Sequence, residues 1–281
     1  MKTHFWKMHG AGNDFVLIDD RARKFPDENN ALVHRLARPK YGVGCEGVIL
    51  IQPSDSADFR MRFYNPDGGE VEMCGNGARC VARLAHEIGA APKKMQFDTV
   101  AGVIGAECTA KDRVCLTMTP PKDWILNGEL DMEEQKVPFH FVNSGVPHVV
   151  MVVEDLQHID VKTVGAAVRY HPRFQPAGTN VNFIEVTGPD AISIRTYERG
   201  VEAETLACGT GMVAGGLIAG SLGLVSVPVQ ITCAAGDVLQ VNYTPTEKSA
   251  ENVTLTGRAV HVFEGEIDLD ALEEDAHPDA E

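Results

Sequence analysis

The chain has 281 residues, of which 44% are hydrophobic, so it is long enough to form two domains with sizeable cores. Its formal net charge of −15 argues against a nucleic-acid-binding protein, because phosphate contacts need a basic surface. The first residues lack the apolar segment of a signal peptide, and no apolar run is long enough to cross a membrane. We therefore expect a soluble, cytoplasmic protein whose partners include neither nucleic acid nor membrane.

Alternating apolar and polar residues predict short strands in the first half of the chain. The clearest are residues 14–19, 47–52 and 59–64. Cys74-Gly75-Asn76-Gly77 then opens an apolar helix, which we expect to end at Gly89 because glycine commonly closes helices. Pro120-Pro121 interrupts the strand pattern, and we place the domain boundary there.

The second half repeats this order of elements. Strands are predicted at residues 149–153 and 181–186. Cys208-Gly209-Thr210-Gly211 opens a second helix that ends at Gly223, and its apolar or small side chains on every side are typical of a fully buried helix. Residues 264–281 carry nine acidic side chains and no lysine or arginine, which is typical of a solvated face or tail.

The two cysteine motifs belong to a longer internal repeat. Gly89 and Gly223 each follow their cysteine by 15 positions, and the strands at 14–19 and 181–186 each follow an asparagine. We expect an α/β (α+β) fold of two pseudo-symmetric barrels, each a mainly antiparallel sheet wrapped around a central helix. The expected halves are residues 1–119 and 120–263.

The seven cysteines fit neither a disulfide framework nor a zinc site, because their number is odd and their spacing irregular. In a reducing cytosol most cysteines are small, inert side chains. We assign that role to Cys45, Cys80, Cys108, Cys115 and Cys233.

Cys74 and Cys208 differ because each directly precedes a glycine-rich helix start. Unpaired N–H groups and the positive end of the helix dipole lower the pKa of a thiol there, and they also attract a carboxylate. A lone cysteine before a helix is more often inert than catalytic, but the repeated context reverses that expectation.

If the two halves face each other, a bound amino acid has its α-carbon between two sulfur atoms. One thiolate then removes the α-proton, and the other thiol delivers a proton to the opposite face. The helix N-termini stabilise the negative charge that moves onto the carboxylate, so no pyridoxal-type cofactor is required. The sequence thus favours cofactor-independent stereoinversion by two thiols.

Several polar residues are candidates for holding the substrate. Asn13, Asn65 and Asn180 lie in or beside glycine-containing loops, although Asn65 taken alone is a common turn residue. Glu198 and Arg199 are adjacent, and such a pair is usually solvated. In a cleft, Arg199 would bind a carboxylate and Glu198 an ammonium group.

Taken together, these residues resemble diaminopimelate epimerases from about His4 to Glu266. The motifs that carry the resemblance, in chain order, are His9-Gly10-Ala11-Gly12-Asn13-Asp14-Phe15, Asn65-Pro66-Asp67-Gly68, Cys74-Gly75-Asn76-Gly77-Ala78-Arg79-Cys80, Gly178-Thr179-Asn180-Val181-Asn182-Phe183, Glu198-Arg199-Gly200 and Ala207-Cys208-Gly209-Thr210-Gly211. The resemblance implies epimerisation of LL-diaminopimelate to the meso form, in lysine and peptidoglycan-precursor synthesis. It also implies a homodimer without metal or cofactor, whose final strand returns residues 264–281 to the first half.

The resemblance assigns roles to particular residues. It implies Cys74 and Cys208 as the acid/base pair, with His148 and Glu198 tuning the pKa values at the site. It implies substrate contacts from Asn13, Asn65, Gly75, Asn76, Asn180, Glu198, Arg199, Gly209 and Thr210. Some family members have asparagine at the position of Val146 and glutamine at that of Gly47, so those two side-chain contacts are not expected here.

Three alternatives remain open at this point. A racemase of the same architecture would act on another amino acid, such as proline, hydroxyproline or histidine. A thiol redox switch would use Cys74 and Cys208 to form a disulfide, but we interpret such a disulfide as inactivation rather than function. A non-catalytic binding module would leave the paired cysteines unexplained.

Overall fold

The computed structural model describes residues 1–132, 135–247 and 249–274. The chain divides into two compact units: unit 1 combines Met1–Leu116 with the chain from Arg258 onward, and unit 2 is Thr117–Gly257. These bounds differ by a few residues from the predicted boundary at 119/120 and the predicted return at 264. The return is earlier because a strand that begins at Val260 pairs with the first strand of the chain.

Unit 1 consists of nine strands and three helices among the described residues. In chain order they are β1 (Lys2–Gly10), β2 (Asn13–Asp19), α1 (Asn30–Ala37), β3 (Val48–Gln52), β4 (Phe59–Tyr64), β5 (Glu70–Val71), α2 (Gly75–Glu87), β6 (Lys94–Thr99), β7 (Gly102–Ala110), β8 (Arg113–Thr117), and then β18 (Val260–Asp268) and α5 (Leu269–Glu274) after unit 2. Strand β8 ends one residue beyond the boundary between the units.

Unit 2 consists of nine strands, two α-helices and one short 3₁₀ helix among the residues that the structure covers. They are β9 (Lys122–Met132), β10 (Gln135–Asn143), β11 (Pro147–Val152), α3 (Val161–Arg169), the 3₁₀ helix Pro172–Phe174, β12 (Asn180–Gly188), β13 (Ala191–Glu198), β14 (Ala203–Thr205), α4 (Gly209–Ser221), β15 (Val229–Thr232), β16 (Val238–Pro245) and β17 (Ala250–Arg258).

The two units share one strand topology. The sheet of unit 1 runs β18-β1-β2-β3-β4-β6-β7-β8, with β2–β3 and β4–β6 parallel and the other pairs antiparallel. The sheet of unit 2 runs β9-β10-β11-β12-β13-β15-β16-β17, with β11–β12 and β13–β15 parallel. The predicted pair of pseudo-symmetric, mainly antiparallel barrels is therefore confirmed.

A buried helix lies against the sheet of each unit. Helix α2 contacts β1, β2, β3, β4 and β7, and α4 contacts β10 to β13, β15 and β16. Both helices begin and end where the sequence predicts, because the cysteine is the N-cap and Gly89 (φ 69°) or Gly223 (φ 70°) follows the last turn in the left-handed conformation. The central helix of each half is thus confirmed.

The strand register corrects one part of the predicted repeat. Val48 pairs with Tyr64 in unit 1 as Val181 pairs with Tyr197 in unit 2, so β3 corresponds to β12. The strand that opens with Asn13 is β2, which corresponds to β11 instead. Asn13 and Asn180 are therefore not counterparts, because a local resemblance between two segments does not fix their place in a sheet.

The acidic segment is partly ordered structure. Residues 260–268 form β18, and Leu269 and Leu272 are buried in a core cluster with Leu32 and Leu36 of α1. The acidic side chains of Glu264, Glu266 and Asp268 are exposed, which agrees with the predicted solvated face, whereas Leu269 and Leu272 pack inward; residues 275–281 lie outside the described residues. Within the described chain, no helix combines the length and apolar character needed to span a bilayer.

Candidate active site

Cys74 lies at the start of the buried helix of unit 1. It is the N-cap of α2, with extended backbone angles (φ −131°, ψ 124°), and its carbonyl accepts the first helical hydrogen bond from the Ala78 N–H at 2.8 Å. The side chain is half-buried. A Cβ placed on the next residue, Gly75, would have no heavy atom within 4 Å, so the backbone at the helix start is open to a ligand. The positive end of the α2 dipole lies at this opening.

Asn13 contacts the thiol of Cys74. The Cys74 Sγ–H donates to Asn13 Oδ1 at 3.5 Å, while Asn13 Nδ2 donates to the carboxylate of Glu46. Because a carboxylate only accepts, Glu46 fixes the orientation of the Asn13 amide and turns its oxygen toward the sulfur. The sequence predicted Asn13 at the site but missed Glu46, which lies 33 positions away in the loop before β3.

The other predicted residues of unit 1 lie on neighbouring segments. Asn76 is buried in the first turn of α2, and its Oδ1 accepts from Nη2 of the fully buried Arg79 at 2.9 Å. Asn65 lies in the turn between β4 and β5, where its N–H donates to the Gly69 carbonyl and its carbonyl accepts from the Gly68 N–H, both at 2.9 Å. Gly47 leaves no room for a side chain, because a Cβ there would lie 2.4 Å from the Phe63 ring.

Cys208 occupies the same place in unit 2. It is the N-cap of α4 and only 8% exposed, and its carbonyl accepts from the Met212 N–H at 2.9 Å. Its Sγ lies 3.6 Å from Oγ1 of Thr210, and the same Oγ1 lies 2.9 Å from Nε2 of His148. The structure thus brings three predicted residues of unit 2 into one contact chain.

Two further residues extend this set of contacts, and the sequence analysis missed both. Asn182 is fully buried on β12, and its Nδ2 contacts His148 Nδ1 at 3.1 Å and the Val149 carbonyl at 2.8 Å. Thr196, opposite it on β13, donates from Oγ1 to Asn182 Oδ1 at 3.0 Å. The available signal was the position of Asn182 two residues after Asn180, on the same face of the strand.

Asn180, Arg199 and Glu198 lie at the adjoining end of the sheet. Asn180 Oδ1 accepts from the Arg199 N–H at 2.8 Å, and its Nδ2 donates to the Pro147 carbonyl at 3.2 Å. Glu198 is half-buried and accepts from Thr205 Oγ1 at 2.8 Å. Burial raises the pKa of the Glu198 carboxyl, partly offset by that hydrogen bond.

His148 is held in its neutral form. Complete burial, together with the positive charge of Arg199, lowers the pKa of the imidazole to about 3, although the Asn182 hydrogen bond acts in the opposite direction. A neutral imidazole has one N–H donor and one acceptor nitrogen, so His148 accepts a hydrogen bond on one side and donates on the other.

Acidification is expected to destabilise the protein through His148. In the unfolded chain this side chain titrates near 6.5, so below that pH the unfolded state binds a proton that the folded state excludes down to about pH 3. The free energy of unfolding should fall by about 1.5 kcal/mol between pH 6.5 and 5 from this residue alone. Urea denaturation of wild type and His148→Phe at both pH values measures it; an equal pH dependence in the two proteins would contradict the prediction.

Four of the remaining cysteines are buried, as predicted for inert residues. Burial raises the pKa of Cys80 to about 12 and also raises that of Cys45, Cys108 and Cys233. Cys115 is half-buried on β8. None of these five lies at the start of a helix. Cys74 and Cys208 are therefore distinguished by position as well as by motif.

Comparison with known proteins identifies the family of the chain. The sequence model of the diaminopimelate epimerase family matches residues 5–124 and 140–262. A diaminopimelate epimerase of Aquifex aeolicus is 42% identical over 280 residues, which cover 96% of this chain and 99% of that protein. One from Hydrogenobaculum sp. is 43% identical over 271 residues, with 92% and 96% covered.

Similarity of structure extends to more distant proteins. A probable proline racemase from Agrobacterium radiobacter, solved with bound carbonate, superposes with a TM-score of 0.67 over 95% of this chain and 93% of its own, at 18% identity. At that identity the likeness concerns the fold alone. The sequence matches span nearly the whole chain at more than 40% identity, and this chain therefore belongs to the diaminopimelate epimerase family.

Proposed function

We propose that this protein converts LL-diaminopimelate to meso-diaminopimelate, with the thiols of Cys74 and Cys208 acting on one α-carbon and without a cofactor. The observation that carries the proposal is that each unit places a cysteine as the N-cap of its buried central helix. Both thiols therefore sit where unpaired N–H groups and the helix dipole favour a thiolate and a bound carboxylate. Family membership supports an amino-acid epimerase with this substrate.

The reaction needs one proton to leave the α-carbon and another to return from the opposite face. One cysteine, as thiolate, accepts the α-proton, and the other, as thiol, donates its own. The electron pair left on the α-carbon spreads into the carboxylate, where the helix N-termini stabilise the developing negative charge. After turnover the two sulfur atoms have exchanged protonation states, so the forward and reverse reactions start from different forms of the enzyme.

We further propose roles for the polar residues around the two helix starts. The N–H groups of Gly75-Asn76 and Gly209-Thr210 would bind the carboxylate at the reacting carbon. Arg199 would bind the carboxylate of the second amino-acid end, and Glu198 its ammonium group. Asn13, Asn65 and Asn180 would complete the contacts, and His148 and Glu198 would tune the acidity at the site. We also propose that the enzyme is a cytoplasmic homodimer, which light scattering of the purified protein would test.

Proton exchange in heavy water tests the proposed reaction directly. Reduced protein is incubated with LL-diaminopimelate in D₂O, the α-proton is followed by NMR, and the stereoisomers are separated. Loss of the α-proton signal together with appearance of the meso form is the expected result. Folded, fully reduced protein that exchanges no proton would rule out this substrate. A panel with proline, hydroxyproline and histidine would then identify a racemase for another amino acid.

A further inference from the structure

The direction of hydrogen bonding around His148 is fixed by groups that can act in only one way. The Val149 carbonyl only accepts, so the contact at 2.8 Å must come from the NH₂ of Asn182. The second N–H of the same amide points to His148 Nδ1 at 3.1 Å, which makes Nδ1 an acceptor. Thr196 supports this orientation by donating to Asn182 Oδ1 at 3.0 Å.

The proton of the neutral imidazole must then be on Nε2. From there it donates to Oγ1 of Thr210 at 2.9 Å. A hydroxyl oxygen that accepts this bond keeps its own proton for another acceptor, and the Cys208 sulfur lies 3.6 Å away. The Thr210 hydroxyl therefore still has a proton to donate, and the Cys208 sulfur at 3.6 Å is an acceptor within its reach.

Unit 1 has the same fold but apolar side chains at the positions of Asn182, Thr196 and His148. By strand register, Ile49 opposite Phe63 in unit 1 corresponds to Asn182 opposite Thr196 in unit 2. The helix contacts agree, because a Cβ on Gly77 would lie 2.9 Å from Ile49 Cδ1, and one on Gly211 would lie 2.5 Å from Asn182 Oδ1. Leu17 pairs with Ile49 in unit 1 as Val150 pairs with Asn182 in unit 2. Phe15 and His148 each lie two residues before that strand partner, so Phe15 is the counterpart of His148.

The polar set of unit 2 is therefore not a requirement of the fold. Unit 1 fills the same three positions with buried apolar side chains, Phe15, Ile49 and Phe63. Burying an amide, an imidazole and a hydroxyl is unfavourable unless each is hydrogen-bonded, and apolar residues of similar size are a ready alternative. Their presence beside Cys208 points to a role in the chemistry of that thiol.

We infer that Asn182, held by Thr196 and the Val149 carbonyl, is a positioning residue that fixes His148 as its Nε2–H tautomer, so that Thr210 donates its hydroxyl proton to the Cys208 thiolate. This inference rests on the proposed function and deepens it by making the two halves unequal. Cys208 receives a hydrogen bond that favours its thiolate, whereas Cys74 gives its own proton to Asn13 Oδ1. Of the two forms of the free enzyme, this arrangement favours the one with Cys208 as base and Cys74 as acid.

Two charged groups, Arg199 and Glu198, lie near the hydrogen bonds that join Asn182, His148 and Thr210. Arg199 opposes protonation of His148, which keeps the imidazole neutral and leaves Nδ1 as an acceptor for the Asn182 amide. The Glu198 carboxylate accepts from Thr205 Oγ1 and lies next to Arg199 in sequence. Neither group depends on Asn182 or Thr210, so substitutions at those two positions isolate the hydrogen-bond chain.

Alkylation of the thiols as a function of pH tests the inference without substrate. The full-length reduced protein is treated with iodoacetamide, and the rate at each cysteine is followed by peptide mass spectrometry. Cys208 is expected to react with a lower pH midpoint than Cys74. Thr210→Val should raise the Cys208 midpoint by about one unit, a tenfold loss of thiolate at a given pH, since a hydrogen bond to a charged group is lost. Thr210→Ser should retain the wild-type midpoint.

Asn182→Ile introduces the residue that unit 1 carries at the corresponding position. It should raise the Cys208 midpoint in the same direction as Thr210→Val and leave that of Cys74 unchanged. Ile49→Val is the matched control and should change neither midpoint. If the Cys208 midpoint is unaltered in folded Thr210→Val and Asn182→Ile proteins, the inference is overturned.

The tautomer of His148 provides an independent measurement. In protein labelled with ¹⁵N-histidine, the His148 signal is assigned from its loss in His148→Phe. The Nε2–H tautomer is expected, and an Nδ1–H tautomer would overturn the inference. Both measurements are made without diaminopimelate, so failure of the proposed reaction and failure of this hydrogen-bond chain are distinguished.

Discussion

Replacing either Cys74 or Cys208 by serine should reduce epimerisation by at least about a thousandfold, within the range of a lost general acid or base. A serine hydroxyl at the same N-cap stays protonated near neutral pH, so it cannot accept the α-proton as a thiolate does. Serine is also a favourable N-cap, so the helix start should be retained. Turnover of LL-diaminopimelate, with circular dichroism to verify folding, measures the effect.

The design includes a control and a stereochemical signature. Cys115→Ser changes a half-buried thiol on strand β8 rather than at the start of a helix, and it should leave turnover unchanged. If two bases are required, any α-proton exchange that survives in a single variant should occur without inversion. Wild-type epimerisation in either Cys74→Ser or Cys208→Ser would eliminate the two-thiol scheme.

Gly68→Ala should lower the free energy of unfolding by about 3 kcal/mol or more, which is the range of a severe packing defect. Gly68 has φ 86° and closes the turn that contains Asn65. An added Cβ would lie 2.1 Å from the backbone oxygen of Asn30, the first residue of α1. The backbone at Gly68 and at Asn30 cannot separate unless the turn or the helix moves. The alanine methyl group therefore does not fit in the native structure.

Gly89→Ala separates the cost of backbone strain from the cost of a steric clash. Gly89 also has a left-handed conformation (φ 69°), but an added Cβ there meets no atom within 4 Å. Its expected cost is about 1 kcal/mol, from backbone strain alone. Denaturant titration of both variants measures the difference, and equal losses would show that the clash at Gly68 is relieved. Because the turn carries Asn65, Gly68→Ala should also raise KM for the substrate.

Local signals account for the elements that the sequence predicted well. The helices after Cys74 and Cys208 follow from an unbroken run of small and apolar residues ended by glycine, which needs no knowledge of distant contacts. Strand register depends on pairing between segments far apart in the chain. The sequence therefore matched Asn13 with Asn180, whereas the pairing of Val48 with Tyr64 and of Val181 with Tyr197 places them at different positions.

At the candidate site, too, the sequence reveals residues with a local motif but not those identified by contacts between distant segments. The cysteines were identifiable because their motif occurs twice, and the asparagines because they lie beside glycine-rich loops. Asn182 and Thr196 interrupt apolar strands and carry no motif, and their partnership depends on β12 lying beside β13. Glu46 was missed for the same reason, since its contact with Asn13 joins two loops.

The pairing of β1 with β18 sets the order in which the nascent chain can fold. Lys2 lies opposite Asp268, and the amino group of Met1 forms an ion pair with Asp268 at 2.9 Å. Unit 2 is continuous in sequence and is complete once residue 257 leaves the ribosome, whereas β1 is synthesised before unit 2 and its partner β18 after it. Translation therefore delivers a finished second half while the first half still has an open strand edge.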